Sequence, residues 1–113
     1  MVTSIMRNKK TVLICGATGF IGKNILIELS KNQNYKIFAT YNKSKKFKIS
    51  NVNWVKTDLT NVNQVKKLTI NKDIVIQAAA TTSGASDILN KPFLHVTDNA
   101  IMNSYLLRSA YEN

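Results

Sequence analysis

An apolar run, Thr11-Val12-Leu13-Ile14-Cys15, stands between Lys10 and Gly16 and predicts a short buried strand. From Phe20 the spacing becomes helical: Ile21, Ile25 and Leu29 share one face with Leu26 beside them, and Asn32 to Asn34 form the exit. Tyr35 to Tyr41 (YKIFATY) is rich in β-branched and aromatic residues and predicts a second strand. The lysine-heavy stretch Asn42 to Ser50 follows as a polar connector. Val52 to Thr57 (VNWVKT) predicts a third strand, and Asp58-Leu59-Thr60 leads out of it. Val62, Val65 and Leu68 then recur at helical spacing, with Thr60 or Asn61 available as N-cap. Asp73 to Ala80 (DIVIQAAA) predicts a fourth strand that runs into small residues. After a loop holding Thr81, Thr82, Ser83 and Gly84, and after Pro92, a last helix is expected from about Leu94 to Tyr111. Its inward face would carry Val96, Ala100, Leu107 and Ala110, flanked by Ile101 and Leu106.

Strands alternating with helices imply parallel strands joined by right-handed crossovers. The fold class is therefore α/β, a Rossmann-type doubly wound parallel sheet with about four strands and flanking helices. The 113 residues suffice for one domain, 1–113, with a structured core over 10–111. The fourth strand would be left as an exposed edge that a complete sheet would cover, so an incomplete sheet is expected.

Composition narrows the class. Hydrophobic residues make up 44%, which suits a packed core. No apolar run approaches the ~20 residues that span a bilayer, and the run after Lys10 is short for a signal peptide, so a cytoplasmic setting is expected. The net charge of +10 favours anionic partners in general, but the lysines are scattered, with no zinc-finger spacing and no long basic helix, so nucleic-acid binding is a minor alternative. Cys15 is the only cysteine and His95 the only histidine, so no metal site is expected; Cys15 reads as a small buried hydrophobe.

The candidate chemistry lies in GATGFIGKN, Gly16 to Asn24. A Walker A loop requires glycine, four residues of any kind, then Gly-Lys-Ser/Thr. Ala17 stands at the first fixed position and Asn24 at the hydroxyl position, so the ATP reading fails. A dinucleotide loop needs a strand, a tight glycine turn and a helix whose N-terminus faces the pyrophosphate. Gly16 can take the turn, Gly19 can let phosphates approach the backbone, and Gly22 can let the helix lie close to the sheet. The spacing is G-x-x-G-x-x-G, not G-x-G-x-x-G.

GATGFIG after TVLIC resembles the N-terminal signature of the extended short-chain dehydrogenase/reductases, the NAD(P)-dependent epimerases, dehydratases and reductases of nucleotide sugars. Asp58-Leu59 resembles the family's acidic-apolar pair that contacts adenine, and Ala78-Ala79-Ala80 its small-residue stretch lining the cofactor cleft. Asp98-Asn99 leading to Leu106-Leu107-Arg108-Ser109-Ala110 resembles the helix that often forms a homodimer interface. The resemblance implies a cofactor site made of Gly16, Thr18, Gly19, Phe20, Ile21, Gly22, Tyr41, Asn42, Lys43, Asp58, Leu59, Ala78, Ala79 and Ala80. Gln77 departs from the family's Asn or His at that position. The family's catalytic Ser/Thr and Tyr-x-x-x-Lys pair has no counterpart in these residues: Ser109 stands four after Tyr105, and only Glu112 and Asn113 follow Tyr111. The expectation is cofactor binding without catalysis by this stretch alone; a non-catalytic sensor that binds partners is the alternative.

The second strand ends in Thr40, Tyr41 and Asn42, followed by Lys43, Ser44, Lys45 and Lys46, and no acidic residue occurs from Leu29 to Thr57. A carboxylate there would bind the ribose hydroxyls of NAD. Its replacement by hydroxyls, an amide and positive charge favours NADP over NAD, with Lys43 or a neighbour as the phosphate partner.

Overall fold

A computed structural model describes residues 9–79 and 93–113, with the backbone alone over 93–98. Ala80, the loop Thr81 to Gly84 and the side chains of His95 and Val96 lie outside the described residues. The elements are β1 (Lys10–Cys15), α1 (Phe20–Ser30), β2 (Tyr35–Tyr41), β3 (Val52–Lys56), α2 (Val62–Leu68), β4 (Ile74–Gln77) and α3 (Phe93–Glu112). The four strands form one sheet in the order β3-β2-β1-β4, every pairing parallel. This is the α/β arrangement expected from the alternation. The fourth strand is shorter than its apolar run: the Ala78 N–H still donates to the Cys15 carbonyl at 2.9 Å, and the Ala78–Ala79 backbone then meets the glycine turn.

The sheet is buried on both faces, as parallel sheets are. Along β1, Val12 and Ile14 face one cluster with Ala17, Leu26, Ile37 and Ala39. Leu13 and Cys15 face the other with Leu59, Val65, Leu68, Met102 and Leu106. α1 covers the first face, α2 and α3 the second. Asn61 is the N-cap of α2, its side-chain oxygen accepting from the N–H groups of Asn63 and Gln64. At the start of β4, the Thr11 N–H donates to the Asp73 carboxylate at 2.7 Å and the Asp73 N–H donates back to the Thr11 carbonyl at 2.9 Å.

Two helix faces differ from the sequence reading. In α1 the buried positions are Gly22 and Leu26, with Ile25 and Leu29 partly buried, whereas Ile21 is 66% exposed. In α3 the buried stripe is Met102, Leu106 and Ser109, with Tyr105 packed beside it; Ala100 and Ala110 are exposed and Leu107 is 76% exposed. The helix carries two apolar stripes, and the one that meets α2 is not the one richest in alanine. Asn113 fixes this docking by donating to the Thr69 hydroxyl at 2.8 Å and the Lys66 carbonyl at 3.3 Å.

Candidate functional site

The strand order reverses direction between β1 and β4, and open α/β sheets bind ligands beyond the carboxyl ends of the strands at such a point. Gly16 sits there with φ +78°, in the left-handed region that glycine enters at no steric cost. A side chain at Gly16 would also run into the Ala78–Ala79 backbone. The turn is pinned from β2: the Gly16 N–H donates to the Thr40 hydroxyl at 3.1 Å and the Ala17 N–H to the Thr40 carbonyl at 3.4 Å. Thr40 is buried, so it serves the loop's backbone as well as the cleft.

Beyond the turn, Gly19 is the N-cap of α1 with no side-chain cap, and the first turn holds no acidic residue. The first intrahelical bond runs from the Lys23 N–H to the Gly19 carbonyl at 2.8 Å. The Gly19 N–H donates to the Gly16 carbonyl at 3.3 Å, while the N–H groups of Phe20, Ile21 and Gly22 are the open donors of a helix N-terminus and with the helix dipole suit an anion. The three glycines have different reasons. Gly22 is pressed against the Gly16 carbonyl group, and a Cβ there would lie 2.9 Å from its carbon and 3.1 Å from the Ala17 Cα. A Cβ on Gly19 would meet nothing closer than the Gly16 oxygen at 3.6 Å. No protein contact demands glycine at 19; the added methyl would stand in the cleft.

The cleft has a volume of about 880 Å³. Its lining includes Gly16, Thr18 and Gly19 on the glycine loop, Phe20 and Ile21 at the start of α1, Tyr41 at the end of β2 and Asn42, Lys43 and Ser44 just after it. Asp58 and Leu59 follow β3, Ala78 and Ala79 follow β4, and Met102 comes from α3. The structure thus brings twelve of the fourteen sequence-derived site residues onto one surface. Gly22 stands behind the loop as its packing partner, and Ala80 lies outside the described residues. Phe20, 85% exposed, and Ile21 leave an apolar rim at the mouth. A second recess of about 550 Å³ beside α2, lined by Phe38, Val55 and Leu68 among others, holds none of the glycine-loop residues. It shares only Asn42, Thr57 and Asp58 with the main cleft.

Four further residues shape the site. Thr57 and Thr60 line it beside Asp58, and Thr40 lines it as well as pinning the loop. Gln77 accepts from the Ala79 N–H at 3.0 Å and donates to the Asn103 side chain at 3.0 Å. It therefore holds the alanine turn and α3 together. The Thr60 hydroxyl donates to Asp58 Oδ1 at 2.6 Å and the Thr60 N–H at 2.9 Å. These bonds, the hydroxyl's foremost, hold the Asp58 carboxyl below the usual carboxylate range, with the Lys43 charge adding to them. The Asp58 N–H is itself taken by the Gln64 side chain at 2.7 Å. Cys15 lies directly behind the turn; burial pushes its thiol up to about 12, against a hydrogen bond with Thr40, so it packs as a neutral group. Among the described residues no group of His, Cys, Asp and Glu could hold a metal ion, and no helix is long and apolar enough to cross a membrane.

A parallel sheet with reversed strand order, a glycine turn and an uncapped helix N-terminus over one cleft define a Rossmann-like domain. The family model of the NAD dependent epimerase/dehydratase family matches residues 12–113, and the chain belongs to that family. Among solved structures it is similar to Pen from Bacillus thuringiensis, with 27% identity and a TM-score of 0.75 over 91% of this chain and 34% of that one. An epimerase from the methanogen Methanothermobacter thermautotrophicus aligns at 22% identity and TM-score 0.76, covering 93% of this chain and 32% of that one. A mutant uronate dehydrogenase from Agrobacterium tumefaciens, complexed with NAD, aligns at 21% and 0.71, covering 90% and 36%. The chain thus spans about a third of the length of these structures. No curated protein matches it by sequence.

Proposed function

We propose that this chain is the dinucleotide-binding portion of an extended-type epimerase, dehydratase or reductase acting on a nucleotide sugar, and that it prefers NADP(H). The observation that carries the binding reading is Gly19: an uncapped helix start lining the cleft, where an added Cβ meets no protein atom closer than 3.6 Å. The pyrophosphate would lie on the amides of the first turn of α1, the adenine against Asp58 and Leu59, and the nicotinamide end toward Ala78 and Ala79. Such a cofactor supplies a hydride acceptor and donor when bound. The residues of this chain grip and orient it, with Phe20 and Ile21 covering the bound phosphates from solvent.

The preference rests on the end of β2. Asn42, Lys43 and Ser44 line the cleft, and the stretch from Leu29 to Thr57 offers a 2′-phosphate no repelling carboxylate. Calorimetric titration of the 113-residue chain tests this. NADPH should bind about tenfold tighter than NADH at low salt, the worth of one charge-assisted contact. Lys43→Glu should reverse the order, and added salt should narrow the gap. Equal affinities that ignore salt would remove the preference, and no binding of either would remove the dinucleotide reading.

We further propose self-association through the outer face of α3 in a cytoplasmic setting. Leu107 and Tyr111 are large apolar side chains left exposed there, with exposed Ala100, Ser104 and Ala110 along the same stripe. Sedimentation should show a dimer that Leu107→Asp converts to monomer; a monomer at all concentrations would overturn it.

A further inference from the structure

The lysines of the connector between β2 and β3 are exposed, but the segment itself is tethered to the core by aromatic side chains. Tyr41, at the end of β2, meets the Trp54 ring edge-on with centroids 6.0 Å apart. Phe47, inside the connector, meets the same indole edge-on at 5.2 Å. The intervening residues 42–46, which carry Lys43, Lys45 and Lys46, are thus closed into a short arch with both feet on one side chain. Phe47 and Ile49 pack against the core beneath α1. The Lys23 ammonium, one residue beyond Gly22, lies 5.0 Å from the Phe47 centroid, and the Lys46 ammonium 5.6 Å from that of Tyr41. The far end is fixed too: Asn51, at φ 64°, donates to the last carbonyl of α1, Ser30, at 3.1 Å. Asparagine is among the few side chains that tolerate this backbone region.

We infer that Trp54 and Phe47 are positioning residues for dinucleotide selectivity, an aromatic staple that holds the 42–46 arch so that Lys43 and Ser44 face the ribose end of the cleft. The inference rests on the NADP(H) reading above and adds the device that makes it work. An untethered lysine must be immobilised when it meets a phosphate, and that ordering subtracts from affinity. An arch pinned on both sides has already lost the backbone part of that freedom. Edge-to-face ring pairs and ammonium-over-ring contacts are each strong enough to hold such a segment. The adenine and pyrophosphate contacts are made by residues of other elements, and although Phe47 also packs beneath α1, loss of its ring should fall mainly on the 2′-phosphate.

The test is calorimetry of NADPH and NADH binding to the 113-residue chain and its variants. For Phe47→Ala, the NADPH dissociation constant should rise about tenfold while that for NADH changes less than about twofold. Phe47→Tyr, which keeps the ring edge on Trp54, should restore the wild-type ratio. If Phe47→Ala does not fold, Phe47→Leu keeps the buried apolar contact without the ring and should lose about threefold of the ratio. Equal weakening of both cofactors would mean that Phe47 only supports the fold, and an unchanged ratio would mean that the arch is irrelevant; either overturns the inference. A wild-type chain without NADPH preference would remove the underlying reading first, before any variant is made.

Discussion

Alanine at Gly19 is expected to leave the fold intact and to weaken dinucleotide binding about 100-fold, roughly 2.7 kcal/mol. Gly19 has φ −78° and ψ 170°, extended backbone that any residue adopts. The new methyl group meets no protein atom closer than 3.6 Å. Alanine is a poorer N-cap than glycine, but it also reduces the freedom of the unfolded chain, and the two effects are each about 1 kcal/mol or less and opposite in sign. Thermal unfolding should therefore shift by only a few degrees. Bound phosphate, by contrast, must come to hydrogen-bond distance of the first-turn amides, and a methyl group in that space keeps it out. Melting curves beside NADPH titrations check both halves. Unchanged affinity in a folded Gly19→Ala variant would show that the pyrophosphate does not lie on this turn.

Three residues further on, the same substitution should do the opposite. Gly22→Ala places a Cβ 2.9 Å from the Gly16 carbonyl carbon and 3.1 Å from the Ala17 Cα. Both are backbone atoms and cannot swing aside, so α1 must lift from the loop. Forcing extra volume into such a contact costs about 3 kcal/mol, while the better helix propensity of alanine returns about 1 kcal/mol. The net loss of about 2 kcal/mol should lower the midpoint of thermal unfolding by roughly 10 °C in a domain of this size. Circular dichroism melts measure it directly. A Gly22→Ala chain as stable as wild type would mean that the helix and loop have slack that their separation does not show.

These paired expectations define what the sequence made legible. The order and type of every described element followed from periodicity, because a parallel sheet buried on both faces leaves continuous apolar runs and its helices leave a 3.6-residue rhythm. The turn at Gly16 and the close packing at Gly22 were also readable, since each demands glycine for a different steric reason. What periodicity does not tell is which of two apolar stripes on a helix meets its neighbour. In α3, Met102 and Leu106 turn inward while Leu107 turns out, a choice set by where α2 lies. Nor does composition tell that a lysine-rich connector is tethered, because the tether joins Phe47 to Trp54 on the next strand. Thr40 and Gln77 escaped for the same reason: their roles are hydrogen bonds to the backbone of Gly16 and Ala79, partners set by tertiary structure. Identity of residue types gave the chemistry, and only three-dimensional proximity gave the support around it.

The clasp between Thr11 and Asp73 joins residues separated by 62 positions, whereas β1 meets β2 by pairing Lys10 with Tyr35. Closing the longer loop carries the larger entropy cost, and contacts of such separation slow folding. During synthesis, β1, β2 and β3 have all emerged before β4 exists to join them. The glycine turn must wait for the Ala78–Ala79 backbone before its second wall is in place. The β1–β4 pairing that walls the cleft thus closes the longest loop of the three strand pairings, and a formed cleft requires that this pairing is in place.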